Sequence, residues 1–165
     1  MSARGDGNRV LLVSLLVAVV LTLIPLPERV GELRPYWLAL VLIYWNLEAG
    51  RLRALGQAFG LGLLLDLMTA SLLGQHALSL LIISYLVEHF RNRLRFFPPW
   101  QQAAAVMALL FNDRIVQLWV IGLSGDQWPS WEWWLAPVIG MLLWPWLFLL
   151  LDRIRLRDRR QSGST

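Results

Sequence analysis

Three charged residues, Asp66, Asp113 and Arg114, lie inside long apolar stretches of this sequence. If these stretches cross a membrane, each charge costs at least about 2.5 kcal/mol on insertion scales and requires a partner or a function. We predict that they form an intramembrane polar cluster, in which Arg114 pairs with Asp66, and Asn112 and Asp113 are satisfied on neighbouring faces. The cluster could be a structural ion pair or a binding site for a small ligand.

Catalytic and metal-binding patterns are not found in the sequence. The chain has no cysteine, which excludes thiolate metal sites and cysteine nucleophiles. It has no HExxH, GxSxG or phosphate-loop motif, and its two histidines, His76 and His89, are predicted at opposite faces of the membrane. We therefore expect no cofactor, no metal and no enzymatic activity.

Composition predicts the class of protein that holds these residues. Of the 165 residues, 57% are hydrophobic and only 16% are charged, whereas about a quarter of the residues of a soluble domain are charged. Ten tryptophans and six phenylalanines exclude a disordered chain, because such chains are poor in aromatic residues. The composition predicts an all-α integral membrane protein.

Six segments are candidates for membrane-spanning helices, which need roughly 20 mostly apolar residues each. The second is the shortest, and it is included mainly because it places the arginine-rich loops on one side of the membrane. A six-helix transmembrane domain is predicted over residues 10–151, between a short segment at 1–9 and a basic tail at 152–165. Its helices are predicted at residues 10–26, 35–50, 54–73, 75–90, 100–123 and 133–151.

The arginines predict the orientation of the chain. All fifteen basic residues are arginine, and twelve of them fall on one side of the membrane if the chain crosses it six times. Because positively charged loops stay in the cytoplasm, both termini are predicted to be cytoplasmic. Arginines beside apolar segments indicate anionic lipid, and not nucleic acid, as a partner. The predicted cytoplasmic basic rim consists of Arg91, Arg93, Arg95, Arg153, Arg155 and Arg157.

Small residues mark two stripes on the third predicted helix. Gly56 and Gly60 lie four positions apart on one stripe, and Gly62 lies on a nearly opposite one. Since small residues let helices approach closely in lipid, these glycines are candidates for helix packing or for a groove that receives a partner's helix. We predict that the third helix lies between two neighbours at the centre of the bundle.

Short sequence blocks in a fixed order resemble a known family. They are Arg34-Pro35-Tyr36-Trp37, Leu42-Ile43-Tyr44-Trp45, Leu65-Asp66-Leu67 with Leu73-Gly74, Ser84-Tyr85-Leu86, Trp100-Gln101-Gln102-Ala103 and Leu143-Trp144-Pro145-Trp146. With the length and hydropathy of the chain, these blocks resemble the MreD family of bacterial rod shape-determining proteins. The family's motifs map onto Pro35, Trp37, Trp45, Asp66, Gly74, Trp144 and Pro145.

The resemblance implies a non-enzymatic subunit of the cell-elongation machinery in the bacterial inner membrane, needed for rod shape and sidewall peptidoglycan synthesis. It implies a fold similar to the six-helix substrate-capture subunits of vitamin transporters. It also implies MreC as a partner, together with MreB, directly or through MreC, and RodA with its partner transpeptidase. We expect the single helix of MreC to dock against a small-residue groove. The alternative from another class is a small-molecule-capture subunit of a transporter, with the polar cluster as its pocket.

Overall fold

The described part of the chain is helical throughout. The computed structural model describes residues 3–24, 33–49, 53–125 and 128–162. Six α-helices follow one another, and a short 3-10 helix, Trp131–Leu135, leads into the last of them. The α-helices are α1 Ala3–Leu23, α2 Trp37–Ala49, α3 Arg53–Thr69, α4 Gln75–Leu94, α5 Pro99–Ser124 and α6 Ala136–Ser162.

Among the described residues, length and composition identify two stretches that could cross a membrane, Pro99–Leu123 and Trp131–Arg157. Three more stretches are apolar but shorter: Arg9–Leu23, Trp37–Glu48 and Leu55–Thr69. The described residues therefore form an all-helical bundle rich in apolar helices.

Each predicted segment overlaps one α-helix, and the bounds differ for local reasons. α3 ends at Thr69, four residues before the predicted 73, because the chain turns at Ala70, whose φ is 51°. α4 runs to Leu94 instead of 90, with Arg91 and Arg93 in its last turn, where positive charge favours a helix C-terminus. The predicted end of the first segment, at residues 25–26, lies outside the described residues.

The second helix forms the centre of the bundle. Every residue of α2 from 38 to 47 is buried, and α2 packs against α1, α4, α5 and α6. A helix with apolar residues on all of its faces is expected to be buried on all of them. Apolar residues cover nearly every face of α2, whose sequence is WLALVLIYWNLEA. The helix predicted from the shortest segment therefore provides the core.

The prediction that the third helix is central is wrong. α3 packs mainly on α4 and makes a smaller contact with α1, so it lies at the edge of the bundle. Its outward face carries exposed apolar side chains, among them Phe59, Leu64, Leu67 and Met68. The two glycine stripes suggested contacts on both sides of α3, but only one of them is in contact with a neighbouring helix.

Candidate functional site

Asp66 lies near the end of α3, and its buried carboxylate is bound by the turn that leads into α4. It accepts hydrogen bonds from the backbone N–H groups of Gly74 (2.8 Å) and His76 (2.9 Å) and from the Ser71 hydroxyl (3.0 Å). His76 Nδ1 lies 2.8 Å from the same carboxylate. The carboxylate therefore sits at the N-terminus of α4, where the helix dipole favours negative charge.

The turn between α3 and α4 depends on the glycine at position 74. Its φ of 99° belongs to the left-handed region, which side chains with a Cβ rarely adopt. The first N–H groups of a helix have no partner inside the helix. Asp66 supplies an acceptor for them from the preceding helix, so the carboxylate and the glycine together fix how α3 and α4 are joined.

Asp113 lies in the middle of α5 and is held between two helices. It is 2% exposed. The Ser79 hydroxyl of α4 donates a hydrogen bond to one carboxylate oxygen, and Gln117 Nε2, one turn further along α5, donates to the other at 2.8 Å. Two neutral donors therefore satisfy this carboxylate and tie α5 to α4.

The predicted ion pair between Arg114 and Asp66 is not formed, although both residues lie in the described part of the chain. Arg114 places its guanidinium carbon 4.4 Å from the centre of the Trp133 ring, and its Nη1 lies 3.4 Å from Gln117 Oε1. Asp66 pairs with His76 instead. Successive helix residues point about 100° apart, so Arg114 faces the 3-10 helix when Asp113 faces α4.

Tyr36, just before α2, packs beside the polar residues of the α3–α4 turn. Its ring meets the His76 ring edge-on, with 6.0 Å between the ring centres. The Tyr36 hydroxyl is buried without a hydrogen-bond partner. We use the name polar cluster for this set: Tyr36, Asp66, Ser71, His76, Ser79, Asp113, Arg114 and Gln117.

Sequence reasoning missed several members of the polar cluster. Gln117 lies four positions after Asp113, and Ser79 three after His76, spacings that place side chains on one helix face. That periodicity is the signal by which these two could have been found. The partner role of Ser71 depends on the turn at Ala70 and has no comparable signal in the sequence.

The chemistry available to the polar cluster is limited by its own hydrogen bonds. Both carboxylates are occupied by donors from the chain. Within the described ranges, no group of three or more His, Cys, Asp or Glu side chains is placed to hold a metal ion. The arrangement therefore joins α3, α4 and α5 through hydrogen bonds to the two carboxylates.

A second set of charges gathers at the opposite end of the bundle, around Glu48 at the end of α2. Arg155 of α6 donates to the Glu48 carboxylate, and Arg95 Nη2 lies 3.8 Å from it. Arg91 donates to the backbone carbonyl oxygens of Leu47 (2.8 Å) and Glu48 (3.3 Å), which caps α2. Three members of the predicted basic rim therefore hold helix ends together.

The other three members of the basic rim are arranged differently. Arg93, Arg153 and Arg157 are exposed. Since their side chains face away from the bundle, they are the members of the rim that can meet lipid headgroups or a partner.

The three glycines of α3 differ in their surroundings. A Cβ at Gly62 would overlap the backbone of His76 and Ala77, so this glycine allows α3 and α4 to cross closely. At Gly56 and Gly60, no described atom beyond the chain neighbours and the backbone of α3 itself lies within 4 Å of the position of a Cβ. Gly62 is a packing position within the fold, and the other two form an open stripe.

The positions that carry the family resemblance lie at helix contacts. Trp45 Nε1 donates to Ser14 Oγ of α1 (2.8 Å), and Trp144 Nε1 donates to Gln102 Oε1 of α5 (3.2 Å). The carbonyl oxygen of Pro35 accepts from the N–H of Trp37 at the start of α2 (2.9 Å). Pro145 lies inside α6.

Comparison with known proteins gives the family directly. The sequence model of the family described as rod shape-determining protein MreD matches residues 4–154. The rod shape-determining protein MreD of Haemophilus influenzae is 37% identical over 139 residues, which cover 84% of this chain and 86% of the relative. No solved structure matches the chain. On the extent of both sequence matches, the chain belongs to the MreD family of rod shape-determining proteins.

Proposed function

We propose that this protein is a non-enzymatic subunit of the bacterial cell-elongation machinery that crosses the inner membrane six times, with both termini in the cytoplasm. Membership of the MreD family along almost the whole chain is the observation that carries the proposal. The apolar helices add support for a membrane location. In such a location, partners are met through helix faces, helix ends and the arginine-rich rim.

MreC is the partner for which we propose a specific docking surface. Gly56 and Gly60 form an open stripe on α3, the helix at the edge of the bundle. Close helix packing in lipid uses small residues, because association there depends on van der Waals contact and not on burial from water. We propose that the membrane helix of MreC docks on this stripe, and that MreB, RodA and the partner transpeptidase are reached through the resulting assembly.

Glycine-to-leucine substitutions test the docking surface. Gly60→Leu should lower the amount of MreC that co-purifies with the protein, because the leucine side chain holds the two helices apart. Gly122→Leu on α5 is the matched control, since Gly122 is also a helical glycine with open space around it. Equal recovery of MreC with both variants would exclude the α3 stripe as the docking surface.

A small-molecule-capture subunit is the second candidate. The observation in its favour is the Tyr36 hydroxyl, which is buried without a hydrogen-bond partner among the described residues, while the Tyr36 ring packs on His76 of the polar cluster. Because Asp66 and Asp113 already accept hydrogen bonds from the chain, this candidate has less support than the shape role. Depletion in a rod-shaped host separates the two: rounded cells support the shape role, and rods of normal shape with a nutrient requirement support capture.

A further inference from the structure

A groove of about 390 Å³ runs along the outside of the bundle between α1, α2 and α6. This volume lies within the roughly 300–1,000 Å³ of typical ligand pockets. Val13, Val17 and Leu21 of α1 form one wall, Leu147 and Leu150 of α6 form the other, and Val41 of α2 lies between them. The groove is separate from the polar cluster and from the glycine stripe on α3.

Ten of the thirteen residues that line the groove are aliphatic, and the other three are Arg9, Ser14 and Trp37. Ser14 is a polar residue in the lining, and its hydroxyl is already occupied. It donates to the Leu11 carbonyl oxygen at 2.9 Å and accepts from Trp45 Nε1 at 2.8 Å. The part of any molecule that lies along these walls must therefore be hydrocarbon.

The length of the groove matches a lipid tail better than a crossing helix. Its lining on α1 extends from Arg9 to Leu21, which is about 18 Å at 1.5 Å per residue. The hydrocarbon core of a bilayer is about 30 Å thick, and a crossing helix runs through all of it. One leaflet accounts for about half of that thickness, so a single acyl chain fits the groove along its length.

Positive charge lies at one end of the groove. Arg9 is part of the lining, and Ile154 lies at the same end on α6. Arg157 is three positions beyond Ile154 on the same face of α6 and is exposed. Guanidinium groups bind phosphate oxygens through paired hydrogen bonds, so this end complements an anionic headgroup.

We propose that the groove between α1, α2 and α6 binds one phospholipid, with an acyl chain along the apolar walls and an anionic headgroup at Arg9 and Arg157. The lipid fills the space between α1 and α6 above the buried helix α2. It is a specific constituent of the protein and is retained when the surrounding bilayer is removed.

Native mass spectrometry of the full chain in mild detergent tests this site, with phosphatidylglycerol and phosphatidylcholine as probes. The unaltered protein should retain one phosphatidylglycerol in preference to phosphatidylcholine. Arg9→Gln combined with Arg157→Gln should reduce that preference by about five-fold for each lost charge. Arg93→Gln is the charge control, since Arg93 is exposed and lies on α4, away from the groove.

Filling the groove provides the second arm of the test. Val17→Trp places a large side chain in the groove and should abolish retention of both lipids, whereas Leu16→Trp, on the neighbouring exposed face of α1, should leave it unchanged. Equal retention of the two probes by the unaltered protein, or equal effects of the two tryptophans, would overturn the proposal. The proposal would also be overturned if the Val17→Trp variant kept its lipid but no longer bound MreC or no longer formed a dimer.

Discussion

Hydrogen bonds from a few residues stabilise the two buried carboxylates, Asp66 and Asp113, among the apolar helices. Asp66 accepts its hydrogen bonds from one turn and the start of α4, and Asp113 from Ser79 and Gln117. Neither carboxylate relies on a direct arginine contact. A buried charge supplied with several donors avoids the large penalty of an unpaired one, so each carboxylate stabilises the helix junction that surrounds it.

Asp66→Asn tests this role. Hydrogen bonds to a charged group contribute about 1.5–3 kcal/mol, and an asparagine would turn an NH₂ group toward backbone donors. We expect the variant to lose about 2 kcal/mol of stability, measured by thermal unfolding in detergent. Glu88→Gln is the control, because Glu88 is a partly exposed carboxylate on α4. Equal melting temperatures for the two variants would contradict the role assigned to Asp66.

The sequence identifies the charged residues that are costly to place among apolar helices. It does not identify the groups that form hydrogen bonds with them. Asp66, Asp113 and Arg114 were recognised because charge in an apolar stretch is visible in composition. Their partners depend on the turn at Ala70 and on how α4 and α5 face each other. The predicted pair of Arg114 with Asp66 takes no account of the direction of the Arg114 side chain around α5, and this direction brings Arg114 to Trp133.

The most buried helix of the bundle is not one of the longest. α2, with 13 residues, is central, and the 17-residue α3 lies at the edge. The all-apolar sequence of α2 was a readable sign of burial. The glycines of α3 could not be interpreted in the same way, because spacing identifies a stripe but does not say whether another helix of the chain covers it.

Two alanine substitutions on α3 separate its packed and open faces. Gly62→Ala should destabilise the protein, because the added Cβ overlaps the backbone at the start of α4. Gly56→Ala should be neutral or stabilising by about 0.5–1 kcal/mol, since it removes a flexible residue from a helix without a clash. Thermal unfolding of both variants measures this. A Gly62→Ala protein as stable as Gly56→Ala would mean that the close crossing of α3 and α4 is absent.

The ion pair between Glu48 and Arg155 joins the end of α2 to α6, and its contribution to stability can be measured. Glu48 is 9% exposed and Arg155 is 16% exposed, so the pair is better shielded than a surface pair. A double-mutant cycle with Glu48→Gln and Arg155→Gln should give a coupling of about 1–3 kcal/mol in unfolding. Arg157→Gln in place of Arg155→Gln should give none, because Arg157 is exposed. Independent effects of Glu48 and Arg155 would contradict their contact.

The whole molecule is a bundle with two chemically distinct ends. One end holds the polar cluster and the 3-10 helix with its tryptophans, and the other holds Glu48 and its arginines. Arg91, Arg95 and Arg155 therefore lie together at one end of the bundle, and the side of the membrane that this end faces stays a prediction. If the chain crosses six times, the same helices that fold the protein also supply the faces by which a shape-determining subunit meets its partners.

Labelling of single cysteines tests the six-crossing topology most directly, because the natural chain has no cysteine to interfere. Cysteines at three exposed positions, Arg93→Cys, Trp128→Cys and Arg157→Cys, are treated with a membrane-impermeant maleimide in intact spheroplasts and again after lysis. We expect Trp128→Cys to be labelled in intact spheroplasts and the other two only after lysis. Labelling of Arg93→Cys and Arg157→Cys from opposite sides would contradict the six-helix membrane arrangement.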